Sequence, residues 1–359
     1  MRKRIGFLSF GHWQNAPGSQ TRTAAEALNQ TIELAEVAEE IGIDGAYVRV
    51  HHFARQLASP FPLLAAIGAR TKRIEIGTAV IDMRYENPLY MAEDAAAADL
   101  IAGGRLQLGI SRGSPEPALN GARAFGYMPP EDQTDADLAR AKTALFNEAI
   151  AGRGVAESDP AQTGGGSFML PIQPQSPGLV DRIWWGSGTR ETARWTAAQG
   201  MNMQSSTLLS EDTGVPFGEL QAEQIDIFRD AWIAAGWERE PRVSVSRSVL
   251  PIVSEQDRLY FGARGADASD QLGRLEGTIA RFGRSYAGEP DVIAEELAKD
   301  PAVQMADTVL LTVPNQLGVE YCATMLDTIA RHIAPAFGWA PDTNPVQADA
   351  SGSEAPSLD

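Results

Sequence analysis

The sequence predicts a single-domain, closed parallel (β/α)8 TIM barrel, on three observations. Strand-like and helix-like segments alternate along the chain as far as Phe337, no linker or internal repeat interrupts them, and polar residues gather just after the strand segments. A chain of 359 residues is long enough to bury one large core of this kind. The rival is a doubly wound open sheet, which calls for a Gly-x-Gly-x-x-Gly turn into the first helix. Gly11-His12-Trp13-Gln14 is not such a turn.

Ile5–Phe10 reads as strand one. Thr23-Ala24-Ala25-Glu26 then spells a capping box, and Leu28, Ile32, Ala35, Ala38 and Ile41 form one stripe of a helix that stops at Gly42. Ala46–Val50 is strand two and ends on His51-His52; a helix around Leu63–Thr71 leads to strand three, Ile74–Ile81. Pro88 opens a helix that closes at Gly103-Gly104, and Leu106–Ile110 is strand four, landing on Ser111-Arg112-Gly113. A helix near Asp135–Ala151 follows.

Two insertions break the rhythm, after strands four and seven. The first, 152–180, is rich in Gly, Pro and Ser and is expected to be a lid; the second spans 254–307. Between them lie strand five at Ile183–Trp185 with its helix Thr189–Gln199, and strand six at Asn202–Leu208 with its helix Gly218–Gly236. Strand seven, Val243–Val249, alternates strictly. Strand eight is Thr308–Val313, closed by a helix over Val319–Phe337, so the domain covers 1–339 and leaves 340–359 as a mobile acidic tail.

The formal charge of −17 disfavours nonspecific nucleic-acid and anionic-membrane partners, and no apolar run is long enough to cross a bilayer. Met1-Arg2-Lys3-Arg4 begins like a signal peptide, but no cleavage site follows, and it reads as the entry to strand one. The one cysteine, Cys322, falls in an apolar helical pattern and is expected to be inert packing, in keeping with a reducing cytoplasm.

Barrel active sites lie at the C-terminal strand ends. Here those ends carry His12-Trp13, His51-His52, Asp82 with Arg84, Ser111-Arg112, Gly186–Thr189, Ser205–Thr207, Arg247 and Asn315, while His332 sits on the last helix as a surface residue. No H-x-H or H-E-x-x-H spacing occurs, and adjacent histidines on a strand point to opposite faces, so no metal is expected. Gly109-Ile110-Ser111-Arg112-Gly113 has the letters of a nucleophile elbow, but no acid and histidine follow in the order a hydrolase needs. Gly186-Ser187-Gly188-Thr189, with Thr192 one turn on, leaves a strand and opens a helix, a setting in which backbone N–H groups bind phosphate; an ordinary helix cap explains the same residues. Arg112 on a neighbouring loop offers a forked donor to such an anion.

Several of these segments together resemble one family, the bacterial luciferase-like flavin-dependent monooxygenases. They are His51-His52-Phe53, Arg70–Thr78 running into strand three, Ala102–Gly113, and the helix after strand five with Trp195 and Gly200. The resemblance extends over about residues 5–338. It implies that His51 is the catalytic histidine, moving protons as a base or hydrogen-bond donor, and that His52 is structural. By the same resemblance Arg112, Thr189 and Thr192 contact the flavin phosphate, alongside Gly186, Ser187 and Gly188. Ser111 stands beside the isoalloxazine where luciferases carry cysteine, and Gly188 stands where they carry a carboxylate. Thr78-Ala79 lies where the family can have a cis peptide under the ring. His12, Trp13, Arg84 and Arg247 are candidates to line the substrate side.

The resemblance further implies reduced FMN supplied by a separate NAD(P)H flavin reductase, O2 as co-substrate, a small organic substrate and a homodimer. A deazaflavin-dependent dehydrogenase or reductase on the same barrel is the alternative, and a non-catalytic flavin-binding homologue is another.

Overall fold

The structure is a computed structural model that describes residues 2–113, 117–211, 213–265, 270–275 and 278–342. The expected tail therefore lies outside the described residues from 343 onward. Eight parallel strands form the barrel: β1 Arg4–Ser9, β2 Gly45–Val48, β3 Glu75–Asp82, β4 Leu106–Ser111, β5 Ile183–Ser187, β6 Asn202–Ser205, β7 Val243–Pro251 and β8 Thr308–Thr312. They pair in chain order, and β8 closes on β1 with Arg4 opposite Thr308. The barrel is shut because β7 pairs with both β6 and β8. Sequence order and strand order coincide, as a right-handed βαβ repeat requires.

The helices that separate the strands include α1 Ala24–Ile41, α2 Pro60–Arg70, α3 Pro88–Ile101, α4 Asp135–Ile150, α5 Arg190–Ala198 and α6 Phe217–Ala234. The local signals act where the sequence places them. Thr23 and Glu26 make both halves of the capping box on α1, and Gly42 ends the helix with φ at 100°, a conformation that would strain a side chain. Asn87 caps α3, its side chain accepting from the N–H groups of Leu89 and Tyr90, with Pro88 at the first helical position. Among the described residues no helix is long and apolar enough to cross a membrane.

The main core lies between the strands and the helical ring. Ile5 and Phe7 of β1, Val48 of β2, Ile76 of β3, Leu108 and Ile110 of β4 and Val243 and Val245 of β7 face outward onto the helices. The barrel interior is more polar and is plugged at its N-terminal end. There Arg242 forms a two-pronged ion pair with Glu75 at 2.8 and 3.0 Å and lies over the Trp184 ring, whose Nε1 donates to Gln107 Oε1 at 2.9 Å. The ion pair and the Trp184–Gln107 hydrogen bond offset part of the desolvation of these groups, while Arg242 Nε is buried with no hydrogen-bond partner among the described residues.

The two insertions occupy opposite ends. The 152–180 excursion forms a small antiparallel hairpin, Gly154–Glu157 against Met169–Pro171, and then returns beneath the barrel. Ser176 and Arg182 both hydrogen-bond to Asp99 Oδ2 at 2.6 Å, and Arg182 Nε donates to the carbonyl of Leu106, the first residue of β4. The segment therefore enters β5 from the N-terminal side, because it follows a helix and not a strand. The expectation of a lid there is corrected: no residue of 152–180 lines the cavity described below. The second insertion supplies the cover instead. Its strand Thr278–Phe282 pairs antiparallel with Leu208–Leu209, beyond the C-terminal end of β6, and Gly283 N–H donates to the Thr207 carbonyl at 3.0 Å.

Candidate active site

A cavity of about 520 Å³ opens at the C-terminal ends of the strands. One end is a cluster of donors. Ser187 and Gly188 leave β5, and Thr189 caps α5, its Oγ1 accepting from the Thr192 N–H at 3.1 Å and donating to the Thr192 hydroxyl at 2.9 Å. Facing them, Ser206, Thr207, Leu208 and Ser210 follow β6, held in place by a hydrogen bond from Ser210 N–H to the Gly188 carbonyl at 3.1 Å. Arg112, exposed at the end of β4, and Arg140 of α4, seated 5.2 Å from the Trp195 ring, add two guanidiniums to this end. No hydrogen bond or ion pair engages the Arg112 side chain among the described residues. A helix N-terminus, converging hydroxyls and guanidiniums together make an anion site.

A Cβ added at Gly186 would come within 3.1 Å of Ser111 Cβ and 3.4 Å of Val80, so glycine there keeps this stretch of the wall free of a side chain. The backbone on the other wall contains a cis peptide, between Ala79 and Val80. The sequence places that bond at Thr78-Ala79, and the structure moves it one residue on. Thr78 itself is fully buried, with its hydroxyl donating to the Gly109 carbonyl at 2.7 Å, and does not reach the cavity, whereas Ala79, Ser111, Gly186, Ser187, Gly188, Thr189 and Thr192 do.

Of the candidates for the substrate side, Arg84 lines the cavity, locked to Asp82 with Nη2 2.7 Å from Oδ2 and Nε 3.0 Å from Oδ1. Nearby, burial lowers the Lys142 ammonium to about 8 and raises the Glu86 carboxyl to about 7. His12 stacks on Phe10 at the rim and Trp13 lies against Arg55; neither lines the cavity. Partial burial, and then the charge of neighbouring His51, hold the His12 imidazole below its ordinary range. Asn315, at the end of β8, ties this rim to the neighbouring strand end by donating to the His12 carbonyl at 2.7 Å.

Arg247 is a correction. It faces outward from β7, only 2% exposed, and forms an ion pair with Asp300, because Ser246 takes the inward position of the pleat.

The β2 end divides its labour differently from the sequence reading. His52 is structural as expected, stacked on Tyr85 with centroids 4.2 Å apart. His51 is half-buried but is not part of the cavity lining; Arg49, on the same face two residues earlier, is. Arg49 Nε donates to His51 Nε2 at 2.9 Å, and the guanidinium lies 5.4 Å from the Phe10 ring. The reading of strand ends missed Arg49, Arg140 and Gln204, which also line the cavity. Strand alternation could have found Arg49. Arg140 lies mid-helix, where no motif marks it.

Comparisons with known proteins place the chain in a family and a fold. A family model described as luciferase-like monooxygenase matches residues 4–259. The chain is 30% identical over 343 residues to the oxygenase component of flavin-dependent trigonelline monooxygenase from Acinetobacter baylyi, covering 90% of this chain and 89% of that protein. Its matches to two other curated relatives cover only 32% and 56% of their lengths. Among solved structures it is similar to the oxygenating constituent of 3,6-diketocamphane monooxygenase from Pseudomonas putida in complex with FMN, with a TM-score of 0.65 at 15% identity over 93% of this chain and 99% of that one. It is also similar to the coenzyme F420 dependent tetrahydromethanopterin reductase of Methanopyrus kandleri, with a TM-score of 0.61 at 13% identity over 94% and 100%.

Proposed function

The chain belongs to the luciferase-like monooxygenase family, and from that premise we propose that it is the oxygenase component of a flavin-dependent monooxygenase. In this reading it receives reduced FMN from a separate NAD(P)H-driven reductase and uses O2 to oxygenate a small organic substrate. The observation that carries it is the gathering of Arg112, the α5 N-terminus and the Thr189–Thr192 hydroxyls on the lining of one cavity. Those donors suit a phosphate, and the walls at Ala79-Val80 and Gly186 suit a ring system.

Bound there, the flavin supplies the electrons that activate oxygen; the protein supplies binding, orientation and exclusion of water. Arg112, Thr189, Thr192 and Ser187 would hold the phosphate, with Ser111 beside the ring. The strand Thr278–Phe282, hydrogen-bonded onto Leu208–Leu209, shields this end from solvent. Arg49 and Phe10, which follow β2 and β1, are left to the substrate side in this reading, while Arg84 stands beside Gly113, next to Arg112. A homodimer is part of the same proposal, checked by sedimentation of the purified chain.

Anaerobic titration with reduced FMN and with reduced deazaflavin, followed by mixing with oxygenated buffer, tests the reading. Tight FMN binding and an oxygen-dependent spectral transient are expected. Binding of the deazaflavin alone, inert to oxygen, would move the assignment to hydride transfer on the same barrel. FMN binding without oxygen consumption would mark a non-catalytic homologue.

A further inference from the structure

Resting on that reading, we propose that Gln204 is a positioning residue for the ring-binding part of the cavity. Its amide crosses the barrel from β6 and clamps a bulge of β3 that presents Ala79 and Val80 to the cavity. The strand register defines the bulge. Thr78 stands opposite Leu108 and Ile81 opposite Ile110, so Ala79 and Val80 together face Gly109 alone. In a regular strand two successive side chains point to opposite faces, whereas here both residues line the cavity.

A bulge interrupts the ladder, and its main-chain groups must then be met from elsewhere. Two side chains meet them. Thr78 Oγ1 donates to the Gly109 carbonyl at 2.7 Å, and Gln204 Nε2 donates to the Thr78 carbonyl at 3.2 Å. A carbonyl only accepts, so the second contact fixes which way the amide is turned. Gln204 Oε1 is thereby left buried with no hydrogen-bond partner among the described residues. Ser244, paired with Gln204 across β6 and β7, has an unpartnered Oγ of its own and does not satisfy the amide. Room for the clamp comes from Gly109, where an added Cβ would lie 2.2 Å from both Gln204 Oε1 and the Thr78 oxygen. A stranded acceptor and a mid-strand glycine each cost stability. An apolar side chain would fill the same space without the stranded oxygen; what the amide adds is the hold on Thr78, one residue before the wall. The ring is the part of the ligand this serves, because the phosphate donors stand on Arg112 and the loops after β5 and β6.

The first test needs no cofactor. Labelling the carbonyl carbon of threonine and the nitrogen of alanine singles out the Thr-Ala peptides at 23, 78, 143, 192 and 196 in the NMR spectrum of the apo-protein. In Gln204→Met, which keeps the side-chain length and removes the amide, the Thr78 signal should move and the others stay. An unmoved Thr78 signal overturns the clamp. The second test measures dissociation constants for FMN and riboflavin. Gln204→Met should weaken both by the same factor, at least roughly fivefold, because the ring is common to them. A loss confined to FMN, or no loss for either, overturns the positioning role. The third uses Gln204→Glu at about pH 5.5, where a buried carboxyl is protonated and can again donate to the Thr78 carbonyl. It should bind riboflavin within roughly threefold of wild type at that pH, while Gln204→Met keeps its deficit. Equal weakening in the two variants overturns the hydrogen bond as the cause. If the wild-type protein binds neither flavin, the flavin reading fails, while the Thr78 signal of the apo-protein still decides whether Gln204 holds the β3 bulge.

Discussion

Arg247 and Asp300 meet behind the barrel wall in a two-pronged ion pair, with Nε 2.8 Å from Oδ2 and Nη2 3.0 Å from Oδ1. Tyr286 donates its hydroxyl to the same carboxylate at 2.6 Å. Arg247 Nη1 also donates to Gln221 Oε1, and Gln221 Nε2 in turn donates to Ser205 Oγ at 2.7 Å and the Ser206 carbonyl at 2.9 Å. A buried pair that lies outside the cavity is thus wired to one of its walls.

Replacing Arg247 with Met should destabilise the protein by about 3–5 kcal/mol, because it strands a buried carboxylate. Urea unfolding at neutral pH measures this. Burial alone would raise the Asp300 carboxyl, but Arg247 and the hydroxyl of Tyr286 outweigh it and hold the group below its ordinary range. A depressed pKa contributes stability that is present above the unfolded value and lost as pH falls through the folded one. The Arg247→Met deficit should therefore shrink in acid, below about pH 4.

Glu86 runs the opposite way. Burial lifts its carboxyl to about 7, so the folded state binds a proton that the unfolded state has released. Its contribution is complete below the ordinary carboxylate range and lost as pH rises through about 7. Glu86→Gln should be more stable than wild type at pH 8 and indistinguishable from it in mild acid. Paired melting curves across that window would expose a failure as parallel, unshifted profiles.

Arg112→Gln should weaken FMN by about 1.5–3 kcal/mol, the range for a hydrogen bond to a charged group. Riboflavin, which lacks the phosphate, should bind the variant and the wild type alike. Equal losses for both ligands would place Arg112 away from the phosphate.

At Gly188 a Cβ would meet nothing closer than Ser210 Oγ at 3.5 Å, so Gly188→Ala should fold and bind FMN as wild type does. Gly188→Asp should cost FMN affinity at least roughly tenfold by setting a carboxylate against the phosphate. Fluorescence titration of the two variants separates crowding from charge.

Much of this was readable along the chain. Periodicity marked all eight strands within a few residues, except that β6 stops at Ser205, where Ser206 folds its hydroxyl back onto the Leu208 carbonyl before Leu208–Leu209 begins a separate pairing. Thr23, Gly42, Asn87 and Thr189 act through contacts within a few residues, so local chemistry sufficed to place helix ends. Cys322, read as inert, is buried, and that burial pushes its thiol up to about 12.

What the sequence by itself determined is the alternation of strand and helix, the helix caps, and the gathering of phosphate-binding residue types after strands four and five. Only the tertiary structure decided which of those residues share a cavity. Closure of β6 on β7 fixes the phase of the β7 pleat, and that phase turns Ser246 inward and Arg247 out. Arg49 and His51 share one face beyond the end of β2, and only Arg49 reaches the cavity lining. The tertiary structure also sends residues 152–180 beneath the barrel and brings Thr278–Phe282 over its mouth. Side-chain direction and loop destination depend on partners far along the chain, and a local pattern carries no record of them.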